Sequence, residues 1–299
     1  MDKPKVFILG AKGRLGAALA RTWAADSEVS AYGRSEADLA RPASIAGMIR
    51  SERPDVVVNC AAMTNVDECE TSRDMAEAVN ATAPGVIAQA TSAAGGRFVH
   101  ISTDYVFSGD AASPYAEEAI PQPVSWYGET KRRGEVAVMA AGEHHAVIRV
   151  AWVFGPDRDS FIDKALHAAL RGEPVRAVAD KYSSPTYTRD AAEGLRPFLR
   201  DGAPGGIYHL CNSGVCTWQQ WAQEAIDAAA KIGVPVKTRL VEPLKLADIK
   251  AMAAKRPVYS PMSCSRIEAL LGHPMRGWRE AVDDYVRLLR DEGRLAAGC

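Results

Sequence analysis

The chain has 299 residues, with 36 Lys and Arg against 37 Asp and Glu, 47% hydrophobic and 24% charged residues. This is long enough for a nucleotide-binding core plus a smaller second domain, and the composition excludes a disordered chain, a coiled coil or a disulfide-stapled miniature. The balanced charge lacks a long basic run, and the longest uncharged stretch, 78–96, carries Asn80, Pro84 and Gln89, so neither nucleic acid nor a membrane is an expected partner.

The N-terminus runs from Met1-Asp2-Lys3-Pro4 straight into Val6-Phe7-Ile8-Leu9, too short for a secretory leader, which predicts a cytoplasmic protein. Short β-branched runs at 5–9, 28–32, 55–59, 97–102 and 145–150 read as strands, with amphipathic or alanine-rich helices between them. In the first helix, 14–25, Leu15, Leu19 and Trp23 fall at steps of four and form one apolar stripe. Strict alternation of strand and helix predicts an α/β fold, a Rossmann-type doubly wound parallel sheet.

Beyond Val150 the order loosens into a helix at 161–170, a strand at 174–179, a helix at 188–199 and a strand at 207–211. The expected division is a dinucleotide-binding domain over 1–152, to which 174–213 returns, and a smaller, mostly helical substrate domain over 214–299 with 153–173. Within the latter, helices are expected at 218–232, 265–271 and 279–291. The six cysteines, at 60, 69, 211, 216, 264 and 299, include no Cys-x-x-Cys pair and read as reduced and structural. The six histidines show no ligand spacing on any predicted helix, so no metal site is expected.

Three local patterns carry chemistry. Gly10, Lys12, Gly13, Arg14, Leu15 and Gly16 form a glycine-rich turn that leaves the first strand and opens the first helix, where backbone amides and the helix dipole can meet a pyrophosphate. No acid stands at the end of the second strand to hold ribose hydroxyls. Residues 31–34 read Ala-Tyr-Gly-Arg, placing Arg34 to meet a 2′-phosphate, so NADPH is expected, with NADH the alternative. Asp38 and Leu39 are candidates for the adenine pocket.

The third pattern is Tyr127-Gly128-Glu129-Thr130-Lys131, which sets a phenol and an ammonium on one helical face. A free phenol has a pKa of about 10, so a tyrosine that gives up its proton at neutral pH needs its phenolate stabilised by roughly 4 kcal/mol, and a nearby cation acts in that direction. Thr103, at the end of the fourth strand, can hold the same carbonyl oxygen. Thr103, Tyr127 and Lys131 are therefore the expected catalytic set for reduction of a carbonyl.

With these residues in view, the chain resembles the extended short-chain dehydrogenases, and among them the dTDP-4-dehydrorhamnose reductase family, over nearly its whole length. The marks are the 10–16 loop, Ala61-Ala62 with Val66-Asp67, Ser102-Thr103-Asp104-Tyr105-Val106-Phe107, the Tyr127 to Lys131 motif with Gly134-Glu135, and Arg149 with Trp152-Val153-Phe154-Gly155. Ser184-Pro185-Thr186, Gly206-Ile207-Tyr208-His209, Trp218 and Arg256-Pro257 also fit.

The resemblance implies a nucleotide-sugar substrate and NADPH-dependent reduction of the 4-keto group of dTDP-4-dehydro-L-rhamnose or a close 4-keto-6-deoxysugar nucleotide. It further implies cofactor contacts at Ala61, Ala62 and Thr64, and substrate contacts at Thr103, Asp104, Val106, Trp152 and Arg256. It allows a homodimer. Some family members hold magnesium at a dimer interface, but no acidic cluster here is assignable to it. The chain departs from the family pattern at Ser108, Ser160 and Ser183, outside the Thr-Tyr-Lys set.

Two rival readings differ in class. A sugar-nucleotide 4,6-dehydratase or epimerase would recycle bound NAD, but the dehydratases carry Glu after the Thr-Asp pair, where this chain has Tyr105. A non-catalytic regulator resembling the regulatory subunit of methionine adenosyltransferase would have no need of an intact Thr103, Tyr127 and Lys131.

Overall fold

The computed structural model describes residues 3–200, 202–249 and 252–295. In its first half, β1 (Lys5–Leu9), α1 (Arg14–Trp23), β2 (Glu28–Tyr32), α2 (Pro42–Glu52) and β3 (Val56–Asn59) lead to three helices. These are α3 (Val66–Thr71), α4 (Arg73–Glu77) and α5 (Ala83–Ala93), and a π-helical turn at Ala78–Thr82 joins the last two. β4 (Arg97–Thr103), α6 (Trp126–Ala141) and β5 (Ala146–Val150) follow.

The second half holds β6 (Val153–Phe154), α7 (Phe161–Arg171), β7 (Val175–Val178), β8 (Tyr182–Ser183), β9 (Thr186–Tyr187), α8 (Thr188–Gly194) and β10 (Gly206–His209). The chain ends in β11 (Cys216–Thr217), α9 (Trp218–Lys231), β12 (Val241–Leu244), α10 (Ser265–Leu271) and α11 (Trp278–Asp291).

Six strands form one sheet in the order β10-β5-β4-β3-β1-β2, and every neighbouring pair is parallel. Alternate side chains go to opposite faces. Val6, Ile8, Val58, Val99 and Ile148 pack with α1 and α8 on one face, while Phe7, Leu9, Val57, Phe98 and Val147 pack with α2, α5 and α6 on the other. Burial on both faces explains why these strands are almost continuously apolar. From β1 the chain winds outward to β2 and then crosses to β3 on the other side, so the crevice between the ends of β1 and β3 is where such sheets bind ligands.

A second core joins α7, α9 and α11 around Phe154, Leu166, Trp221, Ile226, Trp278 and Tyr285. Two expectations are corrected here. The strand predicted at 174–179 does not extend the main sheet: β7 pairs in parallel with β12, a four-residue strand between two of the expected helices, and only β10 returns beside β5. The predicted helix at 188–199 stops at Gly194 and resumes as a single 3₁₀ turn, because Pro197 has no amide hydrogen to continue an α-helix. The five described cysteines are free thiols, and Cys299 lies outside the described residues. Among the described residues no helix is long and apolar enough to cross a membrane.

Candidate active site

Gly10 leaves β1 with φ +80°, and its amide and that of Ala11 both donate to the Tyr32 carbonyl, at 2.9 and 3.0 Å. A Cβ on Gly10 would lie 2.7 Å from the Ala61 nitrogen, so β1 and the turn after β3 can meet only at glycine. Gly13 donates to the Gly10 carbonyl and precedes α1, whose first turn has neither a side-chain cap nor an acid. The positive end of α1 thus opens onto the crevice without a competing side chain. Leu15 and Gly16 are buried in support of this turn.

The cations around the loop have distinct placements. Lys12 lies across Gly33, its Cε 2.9 Å from where a Cβ would stand, and Arg34 projects beside it with 81% of its side chain exposed. Arg14 turns away: its Nε donates to the Arg158 and Asp159 carbonyls at 3.0 Å, tying the loop to the segment before α7. Asp38 accepts from the Ala40 amide at 3.1 Å and faces Arg34 and Arg41, which makes it a loop carboxylate. Leu39, expected beside the adenine, buries its side chain with Phe7, Leu9 and Ile45. Ala61 and Ala62 are partly buried after β3, and Thr64 is exposed. An uncapped helix start, a backbone cradle closed to side chains and two cations flanking Gly33 form a chemistry that fits a phosphorylated dinucleotide.

Next to this cradle stand the expected catalytic residues. Ser125 caps α6 by accepting from the Gly128 amide at 3.3 Å, which starts the helix one residue before Tyr127. Tyr127 and Lys131 are both buried, and the Tyr127 ring meets Tyr105 edge-on at 5.5 Å. Burial pushes the Tyr127 phenol above its ordinary value, against the opposing hydrogen bonding of the Thr103 hydroxyl beside it. Thr103 itself donates to Asp104 Oδ1 at 3.1 Å and accepts from the Tyr105 amide at 3.2 Å.

The Lys131 side chain departs from expectation. Its Nζ is held by β4, at 2.7 Å from the Ile101 carbonyl and 3.2 Å from His100 Nε2, instead of by the Tyr127 phenol. Burial lowers its pKa to about 8, against the opposing pull of Glu135 and Cys60.

On the opposite side, Asp104 links three segments. Its Oδ2 accepts from Ser260 Oγ at 2.6 Å and Ser183 Oγ at 3.1 Å, while burial raises its pKa against the influence of Lys181. Lys181, missed in the sequence, is fully buried, donates to the Pro257 carbonyl at 2.8 Å, and lies 5.3 Å from the Tyr105 ring and 5.6 Å from that of Trp152. Burial lowers its pKa to about 8. Trp152 adopts φ +44°, a conformation that costs an L residue of order 1–3 kcal/mol and that concentrates at functional sites. Its indole nitrogen is buried with no hydrogen-bond partner among the described residues, so a donor is available there.

Arg256 is bound to Asp67, at 2.6 Å from Oδ2 and 3.1 Å from Oδ1, and this pairing lowers Asp67 to about 2. It lines a cleft of about 500 Å³ together with Ser108, Asp110, Leu246, Ile249 and Met252. Val106, expected as a substrate contact, is fully buried and packs in the same core cluster as Phe107.

Three supporting devices stand behind these residues, in roles that the sequence did not assign. Asn80, in the π-turn, exchanges hydrogen bonds with Met63 at 2.9 and 3.0 Å and reaches Thr130 of α6 at 3.3 Å. Glu135 of α6 receives Arg149 of β5 through two bonds of 2.8 and 2.7 Å, and Ser102 of β4 at 2.7 Å. His100 bridges Lys131 and Asn59. Among the described residues no group of three or more His, Cys, Asp or Glu side chains converges as a metal site.

Residues 4–290 match the family described as RmlD substrate binding domain. A dTDP-4-dehydrorhamnose reductase of Burkholderia thailandensis is 36% identical over 293 residues, covering 95% of this chain and 98% of that protein. A Streptomyces antibioticus protein named "Probable dTDP-4,6-dihydroxy-2-methyloxan-3-one 4-ketoreductase" is 38% identical, covering 92% of each. The crystal structure of a dTDP-4-dehydrorhamnose reductase of Bacillus anthracis in complex with NADP superposes with a TM-score of 0.89 at 29% identity, covering 96% of this chain and 100% of that one. With this likeness along almost its full length, the chain belongs to the dTDP-4-dehydrorhamnose reductase family.

Proposed function

We propose that the protein is an NADPH-dependent cytoplasmic ketoreductase that converts dTDP-4-dehydro-L-rhamnose, or a close 4-keto-6-deoxysugar nucleotide, to the 4-hydroxy product. The observation that carries this reading is Tyr127 set beside the Thr103 hydroxyl, with Lys131 one helical turn along the same buried face and an uncapped glycine turn at the start of α1. The bound nicotinamide would supply a hydride to the carbonyl carbon. Tyr127 gives its proton to the carbonyl oxygen, and because burial raises its pKa the proton is in place at neutral pH. Thr103 orients that oxygen. Lys131, whose pKa is lowered only to about 8, still carries its proton in most molecules at neutral pH, and that charge offsets part of the cost of the phenolate left behind.

The sugar would be framed by Asp104 and by the unpartnered Trp152 nitrogen, and the cleft beside Arg256 gives room for the nucleotide. The assay that tests this supplies NADPH and enzymatically generated dTDP-4-keto-6-deoxy-L-sugar and follows cofactor oxidation. Stoichiometric loss of NADPH with formation of the 4-hydroxy sugar is expected. Product formation at constant cofactor absorbance would instead mark a dehydratase or epimerase.

Lys12 and Arg34 support the choice of NADPH. Arg34→Ala is expected to raise KM for NADPH by roughly tenfold, the value of one charge-assisted contact at an exposed site, and to leave KM for NADH within about twofold. Equal effects on both cofactors would remove Arg34 from the 2′-phosphate.

A further inference from the structure

Behind Lys131 two buried side chains, Asn59 and His100, form a continuous line of hydrogen bonds that ends on a backbone amide. The Ala61 amide donates to Asn59 Oδ1 at 3.0 Å, Asn59 Nδ2 lies 3.2 Å from His100 Nδ1, and His100 Nε2 lies 3.2 Å from Lys131 Nζ. Asn59 and His100 are completely buried and Lys131 is 1% exposed.

The direction of each bond follows from what its atoms can do. A backbone amide only donates, so it fixes the Asn59 oxygen toward Ala61 and the Asn59 NH₂ toward His100. His100 Nδ1 is then an acceptor. Burial, and after it the proximity of Lys131, pushes His100 well below the usual imidazole range, so the ring is neutral and carries its one hydrogen on Nε2. That hydrogen points at Lys131 Nζ. An ammonium presents only hydrogens and would oppose it, whereas an amine offers a lone pair and still has a hydrogen for the Ile101 carbonyl.

We propose that Asn59 and His100 are positioning residues that set the protonation state of Lys131: the fixed Nε2–H donates to the Nζ amine, so uptake of a proton at Nζ costs that hydrogen bond. The proposal rests on the reading of Lys131 as part of the reduction machinery. The other groups around Nζ are Tyr127 and Glu135 on its own helix and Cys60 after β3. Glu135 favours the cation, and Cys60 is pushed up to about 12 by burial and stays a neutral thiol.

The experiment uses the full-length protein with ¹⁵N-labelled histidine and ¹³Cε-labelled lysine. In the wild type, His100 Nε2 should give the signal of a protonated ring nitrogen and Nδ1 that of an unprotonated one, with Lys131 titrating near pH 8. In Asn59→Asp, the carboxylate can keep the Ala61 bond and accept from Nδ1, which moves the ring hydrogen to Nδ1 and frees Nε2 to accept from the ammonium. The ring signals should exchange, and both the Lys131 midpoint and the alkaline limb of kcat/KM should rise by about one pH unit or more. If Asn59→Asp does not fold, His100→Gln, whose amide can turn its oxygen to the lysine, should raise the same midpoint.

A wild-type ring protonated on Nδ1, or an exchanged ring with an unmoved Lys131 midpoint, overturns the proposal. Failure of the underlying reading looks different: Lys131→Met would retain reductase activity while the ring signals and the Lys131 titration still responded to Asn59→Asp.

Discussion

Replacing Tyr127 by Phe is expected to lower kcat/KM for the 4-keto substrate by about 10³-fold, within the 10²–10⁴ range of a positioned general acid. The substitution removes one hydroxyl and leaves the ring in its edge-on contact with Tyr105, so folding and cofactor binding should be little changed. Since Thr103 and Lys131 still hold the oxygen and the local field, KM should change far less than kcat. The measurement is steady-state NADPH oxidation alongside a thermal melt. An unchanged rate with an intact fold would remove Tyr127 from the chemistry.

The largest stability effect is expected at Glu135. The carboxylate is fully buried and takes two bonds from Arg149, one from Ser102 and one from Arg132, so it fastens α6 to β4 and β5. Glu135→Leu leaves the Arg149 guanidinium buried without its countercharge, and breaking such a pair costs about 3–5 kcal/mol. This should appear as a lower urea midpoint with little change in slope, and the double variant with Arg149→Met should recover much of the loss. A Glu135→Leu protein as stable as the parent would show that the pair does not hold these elements together.

Glu135 also has a pH signature. Burial opposes its charge, but the bonds from Arg149 prevail and hold the carboxyl below its ordinary range. A depressed carboxyl contributes stability that is present above the unfolded pKa of about 4.3 and is lost as pH falls through the lower folded value. The parent should therefore lose part of its stability in acid that Glu135→Leu has already lost.

The sheet was legible because its inner strands β1, β3 and β5 are buried on both faces and read as almost continuous apolar runs between helices, with boundaries within a residue at β1 to β5. β12 was hidden by its length and by Pro243, and its pairing with β7 depends on a partner 66 residues away in sequence. The residues of the site that announce themselves lie within a few positions of each other, as in the 10–16 turn and the Tyr127 to Lys131 face. Those that were missed act across the fold: Asn80 reaches Thr130, Lys181 meets Asp104, and Asn59 meets His100 on the neighbouring strand. No local spacing marks such pairs.

The position of β10 at the edge of the main sheet bears on how this chain is made. β5 is finished by residue 150, but its outer edge stays open until 206–209 arrive, after the ribosome has also delivered β6, α7, β7, β8, β9 and α8. During that interval an apolar strand presents unpaired amides and carbonyls, the kind of surface that recruits other chains. A fragment cut at 152 would keep that edge permanently and should aggregate.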